Sequence, residues 1–216
     1  MVMKMRAENA EQLDVVNPAT GQVWSRADRA VVHLEGAWHQ VFHCLVVCPS
    51  RQSVILQRRA ETKAVFPGLL DLSVTGHLTA GEQILDGVRE AREELGIVVD
   101  PLSLVLLGVR LLADDDGEGQ NRERVHSFLL ADDRSLDQYA PSTQEVAGLV
   151  EISVTALLQL LDHSGLAVPA ISWTPGGAIE SISIDANDLV PSIDGYWSVM
   201  AIMADRFIRG KSPLAI

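Results

Sequence analysis

The chain has 216 residues, 47% of them hydrophobic, and a formal net charge of −12. That length suits one large domain, or one domain with an extension, and the apolar share is enough for a proper core. The acidic balance argues against a dedicated nucleic-acid surface, which would show a basic stripe, but admits anionic small ligands where Arg, Lys or a metal overrides the global field.

Residues 1–12 are polar and predicted to fray. "MVMKMRAENAEQ" lacks the apolar centre of a secretory signal, and no run along the chain approaches the ~20 apolar residues of a membrane span. "LDVVNPATGQVW" holds two short β-prone runs around Asn17-Pro18-Ala19-Thr20-Gly21, a predicted hairpin. "WHQVFHCLVVC" (38–48) and "QSVILQRR" (52–59) read as the next strands, joined through Pro49-Ser50-Arg51. Cys44 and Cys48 are the two cysteines and lie on the first of these strands. Four residues of strand put their Cα atoms roughly 13 Å apart, whereas a disulfide needs less than about 7 Å. They read as reduced core thiols of a cytoplasmic protein.

"FPGLLDLSVTGHLTAG" reads as loop and short strand, and residues 83–95 as a helix. On a helical wheel Ile84, Leu85, Val88, Ala91 and Leu95 gather on one side. Glu90, Glu93 and Glu94 fall on the opposite side, and Gly96 supplies the stop. "LSLVLLGVRLLA" and "RVHSFLLA" read as a strand pair around the acidic loop "DDDGEGQNRE". Within that loop, Asp114, Asp115 and Asp116 read as solvated charge. "EVAGLVEIS" is a strand and "VTALLQLLDH" a helix. From Ser164 to Pro191 the pattern is irregular, broken by Gly and Pro. "IDGYWSVMAIMADRFIRG" is a closing amphipathic helix. No internal repeat is visible.

Three carboxylates at i, i+3 and i+4 share a helix face and can hold oxygen-loving cations such as Mg²⁺ or Mn²⁺. On spacing alone, a solvated face with Arg89 and Arg92 as partners is the better reading. The surrounding stretch changes the balance. "TGHLTAGEQILDGVREAREELGI" resembles the Nudix box, G-x5-E-x7-R-E-U-x-E-E-x-G-U, with U aliphatic. Gly76 and Glu82 match its start; Arg89, Glu90, Ala91, Glu93, Glu94, Gly96 and Ile97 match its end. One residue is missing between Glu82 and Arg89, in the turn entering the helix, and the helical face is intact. The resemblance implies an α/β fold, a Nudix-type α/β/α sandwich with a mixed sheet. It implies that Glu93 and Glu94 ligate cations and that Glu90 ligates or acts as general base. Arg89 would hold the glutamate array, and backbone carbonyls near Thr75 and Gly76 would complete the site.

Outside the box, "VHLEGAWHQVFHCLVV", "LQRRAETKAVFPGLLDLSVTGH" and "NRERVHSFLL" resemble the isopentenyl-diphosphate isomerase branch of that superfamily. The likeness would put a metal on His33, His39 and His77, diphosphate-binding cations on Arg59 and Lys63, and a catalytic glutamate on Glu123. Two departures stand out. The isomerase's reactive cysteine is Thr75 here, and a metal-ligating glutamate is Asn121. Hydrolysis therefore leads. The expected activity is Mg²⁺- or Mn²⁺-dependent cleavage of a diphosphate linkage in a nucleoside di- or triphosphate or related organic diphosphate. The isomerase, or a catalytically silent ligand-binding module, is the alternative. Arg59, Lys63, His77 and His39 are the expected substrate contacts. His43, His126, Trp38, Trp173 and Trp197 read as ordinary packing residues. Substrate choice is expected in 111–123 and 164–195. The expected partner is a small-molecule diphosphate, without nucleic acid or membrane; a homodimer stays open. Residues 1–36 are expected to add strands at one sheet edge, 37–162 to form the core, and 163–216 an extension with a terminal helix, all in one compact domain.

Overall fold

A computed structural model of the chain describes residues 11–115 and 120–216. Asp116 of the acidic stretch lies outside them. The centre is a mixed sheet in the order β11-β10-β9-β4-β3-β8-β7, with β5 paired to β4 and β6 to β3. Its members are β3 (His39–Cys48), β4 (Ser53–Arg59), β5 (Leu70–Leu72), β6 (Val74–His77), β7 (Leu104–Asp115), β8 (Gln120–Ala131), β9 (Val146–Ser153), β10 (Val168–Trp173) and β11 (Ile179–Ile184). β3 and β8 run parallel, and the remaining neighbours antiparallel.

Alternation along β3 builds both faces. Leu45 and Val47 join Val54, Leu56 and Val150 under two helices, α3 (Val154–Asp162) and α4 (Tyr196–Ile208). Phe42, Cys44, Val46 and Cys48 point the other way, against Ala91 and Leu95 of α2 (Arg89–Leu95). Helices thus cover both faces, giving the expected α/β/α layers. Both cysteines are free and buried in the α2-side layer.

Four expectations change. The N-terminal hairpin exists, as β1 (Gln12–Val16) against β2 (Val23–Asp28), but it forms a separate two-stranded sheet and does not extend the main one. It docks through Val16 N–H to Trp38 O (2.7 Å) and Ala80 N–H to Gln12 O (2.8 Å), and α1 (Arg29–Glu35) follows it. The predicted helix over 83–95 is two pieces: a 3-10 turn at Ile84–Val88, then α2. A Cβ on Gly87 would lie 2.7 Å from Phe42, so that turn is pressed onto β3 where no side chain fits. Ile84 and Leu85 are exposed in consequence, and the buried side of α2 includes Glu90 and Glu94 with Ala91 and Leu95. Asp114, Asp115 and residues 120–123, read as loop, belong to β7 and β8. The stretch 164–191, read as irregular, contains the β10–β11 hairpin. Its turn at Thr174–Gly177, with Gly176 at φ 78°, produced the breaker signal. Val168, Ala170 and Ile184 point into the core from either side of it.

Candidate active site

The α4-side face of the sheet is the floor of a cavity of about 430 Å³. β3 contributes Val41 and His43, β6 Thr75 and His77, β8 Asn121 and Glu123, and β7 Arg110, Leu112 and Asp114. One wall carries Glu90, Glu93 and Glu94; another carries Arg59 and Lys63; Val190 to Ile193, with Tyr196 and Trp197, form a third.

On the carboxylate wall, Arg89 is the hub. Its Nε donates to Glu82 Oε1 (2.6 Å) and its Nη2 to the His77 carbonyl (3.0 Å). Its Nη1 pairs with Glu90 (2.7 Å) and Glu93 (3.3 Å). Glu82 also accepts from Thr79 N–H at 2.7 Å. The shortened spacing before Arg89 therefore still delivers Glu82 to the guanidinium, with the tightly wound 3-10 turn bridging the gap. Gly76 lets Glu90 lie against β6, since a Cβ there would come 2.2 Å from the carboxylate carbon and displace it. Glu94 is 3% exposed, and its Oε2 accepts from Thr75 N–H (2.7 Å) and Gln57 Nε2 (3.1 Å). Gln57 was not singled out in the sequence, although a lone amide inside the apolar run "SVILQ" was a usable signal. Burial pushes Glu90 up to about 7, with Glu93 adding to it, and Glu94 up to about 8, with Glu90 adding to it. Two carboxylates whose charged forms burial disfavours, with Glu93 open beside them, suit a divalent cation with oxygen ligands.

A second cluster adjoins this wall through His77, whose carbonyl Arg89 holds. His33 of α1, His39 of β3 and His77 of β6 offer ring nitrogens all within 4.8 Å of one another. Their ring centroids are 4.9 to 5.4 Å apart. His39 Nδ1 donates to the Ala37 carbonyl at 3.0 Å, so the lone pair is on Nε2, which is buried without a partner. His77 Nε2 is likewise buried without a partner. Burial lowers the pKa of both, and Arg29 acts in the same direction, so both present neutral nitrogens. Three imidazoles suit a borderline cation such as Zn²⁺ rather than Mg²⁺. His39 is 0% exposed and absent from the cavity wall, which corrects its reading as a direct substrate contact. His77 reaches the wall. Glu123 stands opposite His39 in register, buried, accepting from Asn121 Nδ2 at 2.9 Å. Its pKa is raised by burial.

Arg59 and Lys63 face the cavity but are already engaged. Arg59 pairs with Asp71 at 2.9 Å and donates from Nε to the Val65 carbonyl, and Lys63 pairs with Glu145. Arg110, unnoticed in the sequence, holds Asp194 with two bonds (2.6 and 2.9 Å) and stacks on Tyr196 at 4.2 Å. That clamp ties the stretch before α4 to the floor strand β7. Of the two expected specificity segments, Leu112, Asp114, Asn121 and Glu123 of the first and Val190 to Ile193 of the second reach the cavity, whereas β10 and β11 lie at one end of the sheet. His126 is a satisfied core residue, near Gln40 Oε1 (2.9 Å) and Arg124 (3.0 Å).

Residues 37–173 match the family model of the NUDIX domain. The chain belongs to the Nudix family. It is 33% identical over 188 residues to an uncharacterized Nudix hydrolase of Clostridium acetobutylicum, covering 83% of this chain and 91% of that protein. It is 35% identical over 99 residues to the uncharacterized Nudix hydrolase YfcD of Escherichia coli, covering 45% of this chain and 54% of that one. A crystal structure from Deinococcus radiodurans superposes with a TM-score of 0.55 at 24% identity, over 70% of this chain and 89% of that one, which supports the fold. This Nudix hydrolase carries its box on the 3-10 turn and α2. Among the described residues no helix is long and apolar enough to cross a membrane.

Proposed function

We propose that this Nudix hydrolase cleaves a diphosphate linkage in a nucleoside di- or triphosphate, or in a related organic diphosphate, with Mg²⁺ or Mn²⁺. One observation carries the reading: Glu90 and Glu94 are buried together in the lining of a cavity that also presents Arg59 and Lys63. Glu90, Glu93, Glu94 and the backbone near Gly76 would hold the cation, which would neutralise phosphate oxygens and acidify a bound water. Glu90, raised to about 7, suits a base that takes a proton from water near neutral pH. Arg89 positions Glu90 and Glu93 through its Nη1. Arg59 Nη2 bonds no described residue and is available to a phosphate oxygen beside the Asp71 pair. Free, buried Cys44 and Cys48 suit the reducing cytoplasm. A panel of nucleoside and organic diphosphates with Mg²⁺ or Mn²⁺, scored for phosphate and pyrophosphate release, tests the reading. Absence of release from every substrate would overturn the hydrolase reading.

The cluster of His33, His39 and His77 beside Glu123 favours a second reading, isopentenyl-diphosphate isomerisation. Thr75 and Asn121, at positions where that chemistry asks for Cys and Glu, weigh against it.

A further inference from the structure

His43 stands at the middle of the cavity floor. In register it lies between Thr75 of β6 and Ser127 of β8, roughly 4.8 Å from each strand. The imidazole lines the cavity, yet Nδ1 is buried without a partner and no described residue bonds the other ring nitrogen. Burial, then the guanidiniums of Arg110 and Arg59, push it down to about 3. It is therefore a neutral ring with one N–H donor and one lone pair. A buried ring left without partners is costly, so a bound molecule is the natural source of one.

The surroundings narrow that molecule. His43 itself offers a phosphate no charge, and Arg110 already holds Asp194, so the phosphate's place is beside Arg59 and not over this ring. A hydrocarbon group would leave the imidazole dry and unpaired. Two hydroxyl-bearing residues of the lining adjoin it: Thr75, whose Oγ1 accepts from Gln57 at 3.3 Å, and Tyr196, whose hydroxyl pairs with that of buried Ser127 at 2.6 Å. The Tyr196 ring lies 5.8 Å from the imidazole. Thr75 is also the residue whose N–H holds Glu94, so the space over His43 adjoins the carboxylate wall. The unit there is the first one joined to the diphosphate, not a distal base.

We propose that His43 is a specificity-determining residue that hydrogen-bonds a hydroxyl of the sugar-like unit attached directly to the diphosphate, selecting ribosyl-type substrates over deoxy or isoprenoid ones. The assignment rests on the hydrolase reading above. It is tested by calorimetric binding, and separately by phosphate release, of the four ribonucleoside diphosphates and their 2′,3′-dideoxy counterparts with Mg²⁺. The parent protein should bind at least one ribo form about 10-fold more tightly than its dideoxy partner, on the scale of one lost polar contact. His43→Leu should bring that ratio near one, acting mainly on KM where turnover is seen. His43→Gln, which keeps an N–H donor, should retain part of it. Thermal melting checks folding, and His43→Met replaces Leu if the branched side chain does not fit. Equal binding of ribo and dideoxy forms by the parent, or no binding of any of the eight, overturns the proposal. So does a Leu or Met variant that keeps the parent ratio, or discrimination that follows the base alone. Discrimination in binding that depends on His43, without phosphate release, keeps this assignment and overturns the hydrolase reading instead.

Discussion

The backbone N–H of Thr75 donates to Glu94 Oε2 at 2.7 Å. Gln57 Nε2 meets the same oxygen at 3.1 Å, so a strand backbone and a strand side chain fix one carboxylate of the Nudix box from behind. Helical periodicity alone would put Glu94 in solvent, opposite the apolar side. It is in fact buried, because α2 lies with its glutamates against β6.

Glu94→Gln follows from this geometry. The amide is nearly isosteric, and its oxygen can still accept from Thr75. The cation-free protein should melt no lower than the parent, because a buried ionisable group has gone. Turnover should fall on the order of 10²-fold or more, the scale on which loss of one charge-stabilising group acts. Turnover in Mg²⁺ equal to the parent's would remove Glu94 from the cation site.

Cation binding should stabilise the protein, and more so at alkaline pH. Without a cation, Glu90 and Glu94 have folded-state values of about 7 and about 8, above the ordinary 4.5. Between those limits the folded chain binds more protons than the unfolded one, so cation-free stability falls as pH rises from about 4.5 toward about 8. A cation replaces those protons and removes the loss. At 100 times its dissociation constant a ligand adds about 2.7 kcal/mol, several degrees of melting temperature for a chain of this size. Melting with millimolar Mg²⁺ or Mn²⁺ against chelator should show a larger rise at pH 8 than at pH 5. No rise at either pH would count against the carboxylates as a cation site.

Arg59→Ala should raise KM about 10-fold and change kcat much less, since a phosphate contact made equally before and during reaction acts mostly on binding. The substitution also strands Asp71, so Arg59→Ala with Asp71→Asn is the control that separates ion-pair loss from phosphate contact. If KM is unchanged in both, Arg59 serves only its salt bridge.

Much of this was legible because it is local. β-branched runs and Pro-Gly punctuation marked strands β3, β4 and β9, and the box marked Glu82 to Gly96 as one unit. What was not legible depends on long-range pairing. The β1–β2 sheet stands apart because its partner is the loop around Thr79 and Ala80, not a sheet edge. The burial of Glu90 and Glu94 depends on Gly76 letting α2 approach β6. His43 and Arg110 looked like ordinary strand residues; only the β3–β6 register and the return of Asp194 show what they face. The convergence of His33, His39 and His77 came from family likeness, because three separate elements carry them and no spacing rule joins them.

The last expectation concerns the second reading: this protein should not interconvert isopentenyl and dimethylallyl diphosphates. Moving a proton at an unactivated carbon needs an acid and a base on opposite sides of a short allylic unit, each within reach. Glu123 is a fair candidate for one side, since it is buried, faces the cavity and has its pKa raised by burial. The other side would fall to Thr75. Its Oγ1 already accepts from Gln57 at 3.3 Å, and an aliphatic hydroxyl is far too weak an acid for the task. Protein environments shift pKa values by about 3–5 units at the extreme, which does not close that gap. The cysteines offer no substitute: both lie on the α2 side of the sheet, away from the cavity, and burial pushes the Cys48 thiol up to about 11 and that of Cys44 higher still. Hydrolysis asks less of this position, because Thr75 need only lend its N–H to Glu94. Incubation with isopentenyl diphosphate in deuterated water, with Mg²⁺ and Zn²⁺ supplied separately, should leave dimethylallyl diphosphate at background. Deuterium entering that product at an enzymatic rate, and lost on Glu123→Gln, would instead make the histidine end of the cavity the catalytic one.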